Sequence, residues 1–128
     1  MSIEHKFIDW VKQVCEAHPH NQVVLGIGDD AAVVDHGDNL TVVSTDLVAD
    51  KVHFVLGETP NHFIGRKALA VNLSDLAAMA ATPVSAVVSL LLPRSMELEQ
   101  AQEIFGGLKE LADQFSICLL YTSDAADE

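Results

Sequence analysis

The chain has 128 residues, enough for one domain with a real core. Hydrophobic residues make up 49% and charged residues 20%, ordinary globular usage that excludes global disorder. A net charge of −12, from 19 acidic and 7 basic residues, argues against a nucleic-acid backbone or an anionic membrane as the main partner.

Ile3, Phe7, Ile8, Val11, Val14 and Cys15 recur at helical spacing and predict an amphipathic helix over 3–17, ended by His18-Pro19-His20-Asn21. Val23-Val24-Leu25 is a short apolar run before a glycine turn, and Ala31-Ala32-Val33-Val34 follows it. Asp35 to Asn39 reads as a turn and Leu40 to Ser44 as the next strand, which together predict a hairpin. Residues 47–58 are irregular. Thr59-Pro60 supplies an N-cap and a first-turn proline for a helix running to Ala81. Ser85 to Leu92 is a strand closed by Pro93, Met96 to Phe115 a second long helix, and Ile117 to Tyr121 a last strand. This order predicts an α+β fold, a mixed β-sheet with helices packed on one face. Cys15 and Cys118 form no CxxC pair and fit a reducing, cytoplasmic setting. The N-terminus shows no basic leader followed by an apolar run, and no run is long enough to span a membrane.

Acidic clusters punctuate these apolar elements. Asp29-Asp30 closes Gly26-Ile27-Gly28, Asp46 follows Ser44-Thr45 at a strand end, and Asp75 sits in a helix that is apolar almost all round. Carboxylates against apolar surface need compensation. Mg²⁺ compensates well, because it takes oxygen ligands from a few carboxylates and completes its shell with water and phosphate oxygens. Taken singly, each cluster has a plainer explanation. The first reads equally as an exposed turn, the second as a strand terminus capping a turn, and Asp75 as a structural hydrogen bond to Asn72 or a loop N–H. His53 reads as an ordinary loop residue, and Arg66 and Lys67 as helix surface. The glycines match neither GxGxxG nor GxxxxGK[ST].

Taken together, the clusters carry a resemblance. Gly26-Ile27-Gly28-Asp29-Asp30-Ala31-Ala32-Val33, then Ser44-Thr45-Asp46 with His53-Phe54, then Lys67 to Met79 around Asn72-Leu73-Ser74-Asp75 resemble thiamine-monophosphate kinase in order and spacing. That family belongs with aminoimidazole-ribonucleotide synthetase and selenophosphate synthetase. The resemblance implies the N-terminal domain fold of that superfamily and ATP-dependent phosphorylation of thiamine monophosphate to thiamine diphosphate. It implies Mg²⁺ held by Asp30, Ser44, Thr45, Asp46 and Asp75, with His53 contacting the thiamine substrate. No catalytic side chain is implied, since in-line phosphoryl transfer rests on positioning and charge neutralisation. A homodimer joined through the sheets of this domain is also implied.

The sequence departs from the family after Leu120. The family places Gly-Gly-Asp there, and this chain reads Tyr121-Thr122-Ser123-Asp124. Asp124 falls one position late, which in extended backbone turns it to the other face. The expected organisation is an ATP/Mg-binding N-terminal domain over 1–120 and a tail foreign to the family over 121–128, with the family's second domain absent. The alternatives are a non-catalytic dimerisation or nucleotide-binding module, or another ATP-dependent member of the superfamily.

Overall fold

The computed structural model describes residues 2–16 and 20–121. His18 and Pro19, expected to end the first helix, lie outside the described residues, as do Asp124 and the rest of the tail beyond Tyr121. The elements run α1 (Ile3–Cys15), β1 (Val23–Leu25), β2 (Ala32–Asp35), β3 (Leu40–Val43), α2 (Asn61–Ala78), β4 (Ser85–Val88), α3 (Leu98–Gln114) and β5 (Cys118–Tyr121). The α+β class expected from the sequence holds. Antiparallel and parallel pairings are both present, divided between a three-stranded sheet and a two-stranded one. The chain divides into two units, 1–45 with 75–81 and 46–74 with 82–128.

In the first unit, β2 pairs antiparallel with both β1 and β3. The predicted hairpin is β2–β3, in register from Ala32↔Val43 to Asp35↔Leu40. Its turn is fixed by Gly37 at φ 94 and by the Gly37 N–H donating to Asp35 Oδ1 at 2.8 Å. That positive φ favours glycine. Ser2 caps α1 by accepting the His5 N–H at 3.3 Å. The predicted amphipathic stripe of α1 is present, yet no residue of the helix is buried, and Phe7 and Trp10 stack on each other at 5.9 Å while exposed.

The second unit holds the main core. Leu69 of α2, Val88 of β4, Leu108, Leu111 and Ala112 of α3 and Ile117 pack together. β4 and β5 pair in parallel from Ser85↔Cys118 to Val88↔Tyr121, with α3 as the crossover. The strand predicted to reach Leu92 is assigned as Ser85–Val88, paired with β5 as far as Tyr121, the last of the described residues. Burial alternates along β4, with Ala86 and Val88 inward and Ser85 and Val87 outward.

Helices α2 and α3 cross at two glycines. A Cβ on Gly65 would stand 1.7 Å from the Ile104 carbonyl oxygen, and one on Gly107 would stand 1.8 Å from the His62 carbonyl oxygen. Each helix therefore presses backbone against backbone at the other's glycine.

Both helices end in the same way. The Ala81 N–H reaches Leu76 O and the Ala80 N–H reaches Ala77 O, with Ala80 at φ 54. At the end of α3, the Ile117 N–H reaches Ala112 O and the Ser116 N–H reaches Asp113 O, with Ser116 at φ 56. These are Schellman closures whose left-handed position is filled by a residue other than glycine. The N-cap expected at Thr59 takes another form. The Thr59 hydroxyl accepts the Val55 N–H at 3.0 Å, and α2 starts at Asn61, with Pro60 O accepting the Ile64 N–H.

Gly65→Ala or Gly107→Ala should force the helices apart and cost ~3 kcal/mol in chemical denaturation. Gly106→Ala, with nothing within 4 Å of the new Cβ, should be neutral or stabilising by up to ~1 kcal/mol, which makes it the matched control. Ala80→Gly should relieve the left-handed strain and raise stability by ~1 kcal/mol, read as a higher thermal midpoint.

Candidate functional site

The acidic clusters and the His53 loop lie on different stretches of the fold. Gly26 to Ala31 forms the turn between β1 and β2, with Gly28 at φ 111 and both Asp29 and Asp30 exposed. Lys12 of α1 reaches this turn, its Nζ lying 3.5 Å from where a Cβ on Gly28 would be. Ser44 follows β3 and is half-buried. Its Oγ donates to Asp75 Oδ2 at 3.4 Å, joining the end of the hairpin to the last turns of α2. The partner that Asp75 needed is thus Ser44 and not Asn72. The Asn72 amide donates instead to the Ala68 carbonyl of its own helix at 2.9 Å. Thr45 and Asp46 are exposed, and Asp46 Oδ1 accepts the Leu47 N–H at 2.8 Å.

Among the described residues no group of three or more His, Cys, Asp or Glu side chains comes together to hold a metal. The expected Mg²⁺ site is therefore not displayed as a carboxylate cluster. At two of the carboxylates the oxygens have other partners, with Asp75 turned onto a hydroxyl and Asp46 onto a backbone N–H. The donor set itself remains consistent with a hard cation, since Asp30, Ser44, Thr45, Asp46 and Asp75 offer only oxygen atoms.

The segment before α2 is more constrained than its irregular sequence implies. Asp50 Oδ1 accepts the Leu56 N–H at 2.7 Å, and Lys51 N–H donates to Phe54 O at 2.7 Å while Lys51 adopts φ 64. The His53 N–H donates to Ala49 O at 2.9 Å, and the Ala49 N–H donates back to His53 Nδ1 at 2.9 Å. The His53 carbonyl accepts from Lys67 Nζ on α2. His53 is thus held through its amide, its carbonyl and one ring nitrogen.

Beside it lies a pocket of about 380 Å³ lined by His53, Phe54, Thr59, Phe63, Arg66 and Lys67, with Ile64 and Ala70 completing the wall. Aromatic and aliphatic surface with a few polar groups is the usual make-up of a small-molecule site. The pocket draws Arg66 and Lys67 together in a chain with only 7 basic residues. Sequence reading assigned both to plain helix surface. The signal available was their position about two helical turns after Pro60 and close in sequence to the His53 loop.

Residues 28–122 match the model of AIR synthase related protein, N-terminal domain. The chain belongs to that family. The AIR synthase related domain here is 38% identical over 125 residues to a thiamine-monophosphate kinase of Rhodopirellula baltica, covering 91% of this chain and 39% of that protein. A solved structure described as "AaThiL complexed with AMPPCP and TMP" superposes with a TM-score of 0.79 at 27% identity, over 94% of this chain and 38% of that one. The thiamine-monophosphate kinase of Stenotrophomonas maltophilia K279a gives a TM-score of 0.59 at 38% identity, over 89% and 36%. The matched stretch spans between 22% and 39% of the length of the curated relatives. Among the described residues, no helix is long and apolar enough to cross a membrane.

Asp50→Ala removes the acceptor for Leu56 N–H and should loosen the pocket loop. Hydrogen exchange at Leu56 should quicken ~10-fold, with ~1 kcal/mol of stability lost.

Proposed function

We propose that this chain provides the N-terminal part, residues 1–120, of an ATP-dependent thiamine-monophosphate kinase that forms thiamine diphosphate. The observation that carries the reading is the match of nearly the whole chain to thiamine-monophosphate kinases, by sequence at 38% identity and by fold to a structure holding AMPPCP and TMP.

In this reading Asp30, Ser44, Thr45, Asp46 and Asp75 hold Mg²⁺. When bound, the ion neutralises phosphate charge and orients the transferring group. The chain's own residues then act by placement. Ser44 and Asp75 already share a hydrogen bond within one unit, so two oxygen donors are preset by the end of the hairpin and the end of α2. Asp46 stays exposed and reachable, and its carboxylate oxygen Oδ2 is not tied to the Leu47 N–H. His53 contacts the thiamine substrate, and Arg66 beside it supplies positive charge in an otherwise acidic chain. No protein nucleophile is required, because a phosphate oxygen of the substrate attacks the γ-phosphorus in line.

The reading also places the protein in the cytoplasm as a homodimer. Leu40 and Val43 on β3, and Val87 on β4, are apolar and 62%, 53% and 70% exposed, which supports the use of strand faces for association.

The test is calorimetric titration of the full chain with thiamine monophosphate and with AMPPCP, each with and without Mg²⁺. Mg²⁺-dependent binding of AMPPCP is expected, weakened ~10-fold or more by Asp75→Asn. No heat with either ligand at millimolar concentration would refute the reading. Binding without turnover on ATP and thiamine monophosphate would favour a nucleotide-binding module, a possibility raised by the 39% coverage of the kinase relative.

A further inference from the structure

We infer that Lys12 biases the Asp30 end of the metal site toward a divalent cation that arrives with phosphate and against one that arrives alone. The inference deepens the kinase reading and rests on it for the metal and the nucleotide, whereas the position of Lys12 does not.

Lys12 stands in the last turn of α1 and is exposed. Its Nζ nonetheless lies against the β1–β2 turn, 3.5 Å from where a Cβ on Gly28 would be. Gly28 leaves that space open, and its φ of 111 favours glycine there. The ammonium is not spent on a carboxylate. Among the described residues the ion pair is Lys109–Asp113, on α3. Lys12 and the turn belong to the same unit.

Asp29 and Asp30 follow Gly28 directly, and both are exposed. Consecutive Cα atoms are about 3.8 Å apart, so the Cα of Asp30 lies within about 8 Å of that of Gly28. Charges act on one another over about 10 Å at 0.1 M salt. The field of the ammonium therefore covers both carboxylates without one fixed rotamer. This matters in a chain with only 7 basic residues and a net charge of −12.

A positive charge at this turn has opposite effects on the two ligands. It repels a divalent ion that comes to the carboxylates by itself. It attracts a polyphosphate, and an ion already carried on a nucleoside triphosphate presents net negative charge. Lys12 ligates nothing in this account and acts through its charge alone.

The experiment follows two ligands on the full chain, Mn²⁺ alone by water-proton relaxation and AMPPCP in saturating Mg²⁺ by calorimetry. The proteins are wild type, Lys12→Met and Lys12→Arg. Lys12 is exposed and α1 buries no residue, so both variants should fold. At low ionic strength Lys12→Met should bind Mn²⁺ ~5-fold more tightly and AMPPCP ~5-fold more weakly than wild type. Both differences should shrink below ~2-fold at 1 M salt, where the screening length is about 3 Å. Lys12→Arg keeps the charge and should match wild type with both ligands. A role confined to holding α1 against the turn would weaken both ligands in Lys12→Met and persist at 1 M salt, and that result overturns the inference. Equal Mn²⁺ affinity in wild type and Lys12→Met also overturns it and leaves the kinase reading standing. Absence of Mn²⁺ binding by every one of the three proteins overturns the metal reading itself, and the inference with it.

Discussion

The contact between α2 and α3 at Gly65 and Gly107 governs the second unit. Each glycine admits the other helix's backbone to a distance no side chain would allow. That approach lets Leu69 meet Leu108, Leu111 and Ala112, and it sets the floor on which β4 and β5 are laid. It also anchors the start of α2, where Phe63, Arg66 and Lys67 face the pocket. Shape complementarity at this level contributes stability and fixes one packing over its neighbours.

The loop before α2 rests on that scaffold. The stretch from Ala49 to Thr59 contains almost no regular structure, yet its backbone groups are paired with its own side chains and with α2. Such a loop loses little freedom on binding, because the ordering has occurred during folding. Thr59 illustrates the division of labour. A hydroxyl well placed to cap a helix serves the loop instead, and α2 begins at Asn61 without it.

Much of the fold was legible because periodicity reports burial. The stretch Met96 to Phe115 was readable as a long helix, and Asp35 to Asn39 as the hairpin turn. What stayed hidden involved partners distant in the chain or partners without side chains. The parallel pairing of β4 with β5 was not readable from either apolar run, since the two strands are about 30 positions apart in the chain. Ser44 gave no sign that it would meet Asp75, 31 positions away. Ala49 acts on His53 through a backbone N–H, which leaves no trace in residue type. The resemblance gave the acidic clusters a chemical reading, and their arrangement in space had no signal in the sequence.

The parallel pairing of β4 with β5 has a consequence for biosynthesis. Nascent chains leave the ribosome N-terminus first, so α2 and β4 are released while the whole of α3 is still to come. Leu69 and Val88 then wait without cover until Ile117 and the final strand arrive. During that interval apolar surface that the folded core covers is open to non-native contacts.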